Sequence, residues 1–148
     1  MLYTCIHCGY RTAERFCPVC GEVIEDYQLF PAPEINLQQE MTGEEFEDLC
    51  ARILEKNGFT GVKKTRKSGD HGVDLLAEKD DISYAIQCKH YTSTVGNAAV
   101  QEAYTGKMLY GKDVAVVMTD SFFSDQARME ANALKVKLWD RQKILQMI

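Results

Sequence analysis

The residue pattern predicts an α/β fold, a mixed sheet flanked by helices in the order αβββαβαβα, with a small cysteine-rich unit ahead of it. Three observations carry this. Thr42-Gly43-Glu44-Glu45 opens an amphipathic helix with a capping box. Two alternating apolar stretches, Val73–Glu78 and Ile82–Lys89, are separated by the short polar turn Lys79-Asp80-Asp81, which suits a hairpin. Val114-Ala115-Val116-Val117-Met118-Thr119 is a continuous apolar run, as expected of a strand buried on both faces.

The elements follow in order. Phe46, Leu49, Cys50, Ile53 and Leu54 fall at i, i+3, i+4, i+7 and i+8, one apolar stripe of a helix that Asn57-Gly58 stops. Val62–Lys67 is the first strand, and the hairpin supplies the next two. Val100 to Tyr110 reads as a second helix ended by Gly111. After the apolar strand, Ser124 caps a third helix running to Leu134. A short strand at Val136–Trp139 and a terminal helix at Arg141–Ile148 complete the core.

At 148 residues the chain has room for about one domain plus an appendage. The apolar runs fall short of the roughly 18–20 residues that span a membrane, and the N-terminus lacks a signal pattern, reaching Cys5 almost at once. The expectation is a cytoplasmic protein with no membrane partner. A net charge of −5 argues against indiscriminate coating of nucleic acid and leaves room for a local basic site. Lys63, Lys64, Arg66 and Lys67 are such a cluster. As a charge run it reads either as a solvated strand edge or as a phosphate-binding segment.

Four of the six cysteines form two C-x-x-C pairs, Cys5/Cys8 and Cys17/Cys20, each followed by glycine (Gly9, Gly21). Four soft thiolates suit a closed tetrahedral Zn²⁺ site, and in a cytosolic chain this spacing favours metal over disulfides. Residues 1–26 of the ribbon unit (1–28) have too few apolar side chains to fold on their own core. Binding of about 10–16 kcal/mol in such units would make folding and metallation one event. A hairpin from Tyr10 to Phe16 would complete a zinc ribbon. His7 is a bystander, since the four cysteines fill the shell. Residues 29–40, with Pro31 and Pro33, read as a stiff connector. The main domain is 41–148, where Cys50 and Cys88 fall in apolar patterns as core residues.

Asp74 and, thirteen residues later, Gln87-Cys88-Lys89 hold polar groups in segments that would otherwise be buried. Strand alternation puts Gln87 and Lys89 on one face and Tyr84, Ile86 and Cys88 on the other. A carboxylate, an amide oxygen and an ammonium converging at a hairpin end can hold a divalent cation and an attacking water, the chemistry of phosphodiester cleavage. Hard Mg²⁺ prefers such oxygens and needs only one or two protein carboxylates. Lys89 would orient the water or stabilise developing negative charge.

Together, Ser68-Gly69-Asp70-His71-Gly72-Val73-Asp74 and Gln87-Cys88-Lys89-His90-Tyr91 resemble the Mrr-type branch of the PD-(D/E)XK nuclease superfamily, in which Gln replaces the usual acid before x-Lys. The likeness runs from about Met41 to the C-terminus. It implies a restriction-endonuclease-like core and a Mg²⁺- or Mn²⁺-dependent endonuclease acting on DNA, with the Cys88 backbone carbonyl as a further metal ligand.

A neutral Gln87 calls for a helper acid. Glu47, bordering the apolar stripe near Leu54, is the candidate, since the superfamily often carries an acid on this helix. Lys63, Lys64, Arg66, Lys67 and His71 are the candidate DNA contacts. Asp70 is read as a turn residue or a metal neighbour. Gln101 matches a recurrent helix Gln of the family, though a surface Gln reads slightly better. Double-strand cleavage implies a homodimer or two successive nicks. The ribbon would touch DNA, touch a protein partner, or extend the fold. Two other readings stand beside the nuclease: an inactive binding or adaptor module, and a Holliday-junction-type resolvase.

Overall fold

A computed structural model describes residues 3–4, 11–12, 19, 41–65 and 72–148. At the N-terminus, β1 (Tyr3–Thr4) pairs antiparallel with β2 (Arg11–Thr12). These strands lie on either side of Cys5-x-x-Cys8 in the sequence, and the expected Tyr10–Phe16 hairpin lies, but for Arg11 and Thr12, outside the described residues. Cys5, Cys8, Cys17, Cys20 and the 29–40 connector lie outside the described residues, as do Arg66, Lys67, Asp70 and His71.

The main domain runs α1 (Gly43–Lys56), β3 (Thr60–Lys64), β4 (Leu75–Lys79), β5 (Ile82–Lys89), α2 (Asn97–Tyr110), β6 (Val114–Thr119), α3 (Asp125–Leu134), β7 (Lys137–Trp139) and α4 (Arg141–Met147). This is the order αβββαβαβα that the sequence predicts. The sheet is ordered β3-β4-β5-β6-β7. Its β3/β4 and β4/β5 pairs are antiparallel, while β5/β6 and β6/β7 are parallel.

Local chemistry explains the boundaries. Thr42 Oγ1 accepts the Glu45 N–H at 3.1 Å to start α1. Ser124 Oγ caps α3 through the Ala127 N–H, and Asp140 caps α4 through the Lys143 N–H. Asp80 and Asp81 both take positive φ (54° and 65°), the geometry of the two-residue turns that match strand twist. α2 begins at Asn97, earlier than the sequence suggests. Its N-cap Gly96 makes no side-chain hydrogen bond, so the start carries no capping signal.

Two apolar layers sandwich the sheet. Phe46, Leu49, Cys50, Ile53 and Leu54 of α1, with Ile144 and Met147 of α4, pack on Leu75, Ile86, Val116 and Met118. Ala99, Val100 and Ala103 of α2, with Ala127 and Ala131 of α3, pack on Ala115 and Val117. β6 thus feeds both layers, and Ala115 through Met118 are fully buried. Each such aliphatic side chain contributes about 1.5–3 kcal/mol of transfer free energy. On β5 the alternation puts Ile86, with half-buried Cys88, towards α1 and Ala85 and Gln87 towards α2. Among the described residues no helix is long and apolar enough to cross a membrane.

Candidate active site

Asp74 stands one residue before β4, yet it is tied into the sheet. Its N–H donates to Ile86 O (2.9 Å), its carbonyl accepts from Thr65 N (3.0 Å), and its Oδ2 accepts the Cys88 N–H at 2.7 Å. Extending the Leu75↔Ile86 register sets Asp74 opposite Gln87. The carboxylate is therefore anchored to the strand that carries Gln87 and Lys89, and the three sequence-predicted residues meet at the end of β5.

Gln87 is 1 % exposed. Its Nε2 donates to Glu102 Oε2 on α2 at 2.5 Å, and Lys89 Nζ reaches the same oxygen at 3.3 Å. Because a carboxylate only accepts, the amide must present Nε2 to Glu102, which turns Oε1 the other way. That Oε1 is buried and has no hydrogen-bond partner among the described residues. Leaving a buried acceptor unmatched costs about 1–3 kcal/mol. An orphaned hard oxygen on the residue opposite Asp74 in the strand register fits a divalent cation such as Mg²⁺.

Glu102 is an acid beside Gln87 and Lys89 that sequence reasoning missed. Glu47 is half-buried on α1 and near enough to the Cys88 thiol to act on it electrostatically. It belongs to the layer on the α1 side, whereas Gln87 and Lys89 turn towards α2. Cys88 itself faces Cys50. Hydrogen bonding with Cys50, then burial, then the charges of Asp74 and Glu47 raise its thiol well above the ordinary range. Gln101 does not face the site: its Nε2 donates to Glu130 Oε1 at 2.7 Å, joining α2 to α3.

Of the candidate DNA contacts, Lys63 is exposed on β3. Lys64 is engaged by α1, with Nζ 2.5 Å from Asp48 Oδ1 and 3.9 Å from Glu44 Oε1, and the Asp48 hydrogen bond raises its pKa. Beyond Lys89, His90 Nδ1 lies 2.5 Å from Asp120 Oδ2, and Tyr91 N–H donates to Asp120 Oδ1 at 3.1 Å. The His90 ring also stacks on Phe46, with centroids 5.6 Å apart.

A mixed sheet between two helical layers, its hairpin ending in Asp, Gln and Lys, defines a restriction-endonuclease-like fold. Two solved structures share it: the DNA modification-dependent restriction endonuclease AspBHI (TM-score 0.55, 18% identity, 69% of this chain and 30% of that one) and the MspJI restriction endonuclease in complex with a 27-mer oligonucleotide (TM-score 0.54, 23% identity, 69% and 26%). The Mrr_cat restriction endonuclease family model matches residues 38–148, and the chain belongs to that family.

The crystal structure of AF1548, a protein of unknown function, is also similar (TM-score 0.55, 25% identity, 64% of this chain and 55% of that one). An uncharacterized protein of Archaeoglobus fulgidus is 29% identical over 96 residues, 60% of this chain. The chain spans about half the length of that relative (55%).

Proposed function

We propose that this chain is a divalent-cation-dependent endonuclease that hydrolyses DNA phosphodiester bonds, with Mg²⁺ or Mn²⁺ as the cation. The observation that carries the reading is the buried Oε1 of Gln87, without a partner among the described residues, at a strand end shared with Asp74 and Lys89. Asp74, Gln87 Oε1 and the Cys88 backbone carbonyl would hold the cation. When bound, it supplies positive charge beside the scissile phosphate and makes its coordinated water more acidic.

Lys89 sits 21 % exposed beside this position, so its ammonium can meet a phosphate oxygen and orient the attacking water. Asp74, fixed by the Cys88 N–H, keeps its carboxylate in place with little reorganisation. Lys63, with Lys64, Arg66, Lys67 and His71, would contact the DNA backbone. One such site cuts one strand, so a double-strand break requires a second copy or a second nick.

The four N-terminal cysteines, Cys5, Cys8, Cys17 and Cys20, would hold one structural Zn²⁺ in a ribbon open to DNA or a protein partner. Metal analysis should return one zinc per chain, absent when the four are replaced by serine.

The nuclease reading is tested with Asp74→Asn and Lys89→Ala on linear, base-modified and four-way-junction DNA in Mg²⁺. Both variants should lose cleavage while keeping the far-ultraviolet circular dichroism of the parent. Cleavage confined to the junction would move the assignment to a resolvase. DNA binding by the parent with no turnover under Mg²⁺ or Mn²⁺ would move it to an inactive binding module. Undiminished cleavage by both variants would remove Asp74 and Lys89 from the chemistry.

A further inference from the structure

Gln87 is neutral where the chemistry favours a carboxylate, so Asp74 and Lys89 alone leave the site with no net negative charge to attract a cation. We propose that Glu102 is the compensating acid, a positioning residue on α2 that acts through Gln87 and Lys89. The inference rests on the nuclease reading above and deepens it.

Three contacts point to it. Glu102 Oε2 lies 2.5 Å from Gln87 Nε2, and this bond sets the amide so that Oε1 is the end left for a cation. The same oxygen lies 3.3 Å from Lys89 Nζ, so one carboxylate orients the amide and balances the ammonium. Gly72, two residues before Asp74, is packed against it: a Cβ there would fall 2.8 Å from Glu102 Cβ, 3.0 Å from Gln87 Nε2 and 3.2 Å from Glu102 Oε2. Glu102 thus packs against both the segment delivering Asp74 and the strand delivering Gln87 and Lys89.

The helix is built for this approach. Ala99, Ala103 and Gly106 are its buried residues along with Val100, and small side chains let α2 lie close over the sheet. Glu102 itself stays 48 % exposed, so its face of the site opens to substrate. With Glu102 included, Asp74, Glu102 and Lys89 together carry one net negative charge when Lys89 is protonated.

Calcium titration by isothermal calorimetry tests this on the full chain without turnover. Glu102→Gln keeps an acceptor for Gln87 and Lys89 and removes only the charge. Its Ca²⁺ affinity should fall about tenfold or more, the loss typical of residues that orient metal ligands, with the urea unfolding midpoint of the metal-free protein unchanged. Asp74→Asn should abolish binding, and Glu47→Gln should weaken it less than Glu102→Gln does. Loss in Asp74→Asn with full affinity in Glu102→Gln would overturn the role of Glu102 and leave the cation site standing. Full affinity in Asp74→Asn would overturn the cation site itself. A larger loss in Glu47→Gln than in Glu102→Gln would overturn the proposal and return the helper role to α1.

Discussion

The Cys88 N–H donates to the Asp74 carboxylate at 2.7 Å, so a candidate metal ligand also serves as a strand-pairing acceptor. Stability and activity are thereby separable at this position. Asp74→Ala leaves a part-buried N–H without its acceptor and should cost about 1–3 kcal/mol. Asp74→Asn retains an oxygen at that place and should stay within about 0.5 kcal/mol of the parent, the range of substitutions that break no buried contact. Urea unfolding of the metal-free variants compares the two. Equal destabilisation would mean that the carboxylate charge, not the acceptor, holds the strand end together.

Gly72 and Gly58 make a matched pair for the loop before Asp74. Both have positive φ, +81° and +88°, which a Cβ disfavours by about 1–2 kcal/mol. At Gly58 the added carbon would meet only Lys79 Cε, at 3.8 Å. At Gly72 it would collide with Glu102 and Gln87. Both alanine variants should lose thermal stability, Gly72→Ala the more, and only Gly72→Ala should also lose Mg²⁺-dependent cleavage. A Gly72→Ala protein as active as Gly58→Ala would show that the Gln87–Glu102 contact tolerates displacement.

Much of this architecture is legible in the sequence because it follows from local chemistry. The Thr42 cap and the stripe from Phe46 to Leu54 specify α1, and the apolar run 114–119 is β6, buried on both faces between β5 and β7. The alternation along Tyr84–Lys89 correctly separates Gln87 from Cys88. Glu102 was not legible in the same way. In Asn97–Tyr110 it follows Gln101 and looks like an ordinary solvated helix residue, and only the packing of α2 over β5 brings it to Gln87. The one hint was the small-residue set Ala99, Ala103 and Gly106, next to which Glu102 lies. Lys64 illustrates the converse. Its charge was visible, but its commitment to Asp48 required the crossing of α1 over β3.

That commitment separates two neighbouring lysines in DNA binding. Removing one phosphate-binding cation should reduce the slope of log affinity against log salt by about 0.9. Lys63→Ala should approach this value. Lys64 shares its charge with Asp48 and Glu44, so Lys64→Ala should change the slope by less. Fluorescence anisotropy on a labelled duplex between about 50 and 200 mM salt measures both slopes. A larger change at Lys64 than at Lys63 would show that DNA draws Lys64 away from α1.

Asp120 closes the strand ends beyond the site. It is 6 % exposed, accepts from the Tyr91 N–H and pairs with His90, while its carbonyl accepts from Arg141 Nη1 at 3.2 Å. Asp120→Ala strands the Tyr91 N–H and the His90 ring and should cost about 1–3 kcal/mol. Asp120→Asn keeps one acceptor and should cost less. The urea midpoints of the two variants decide it. Equality with the parent in Asp120→Ala would mean that water replaces both partners.

Asp113 gives the fold an acid-sensitive clasp far from the site. Its Oδ2 accepts from Ser83 N (2.9 Å) and Ser83 Oγ (3.0 Å), joining the turn before β6 to the start of β5. The backbone N–H of Ser83, then its hydroxyl, lower the Asp113 pKa, and Lys107 and Lys112 add to the shift. Because the folded state binds this proton less tightly than the unfolded chain, the stabilisation is complete above the ordinary aspartate value of about 3.9. It is lost as pH falls through the lower folded-state pKa. Solvent screens so exposed a group, so the effect should be small and reduced by salt. Thermal midpoints of Asp113→Asn should lie below the parent at neutral pH and converge on it in acid, once the carboxylate is protonated. A constant offset across the whole pH range would mean that the clasp works through its hydrogen-bond geometry alone.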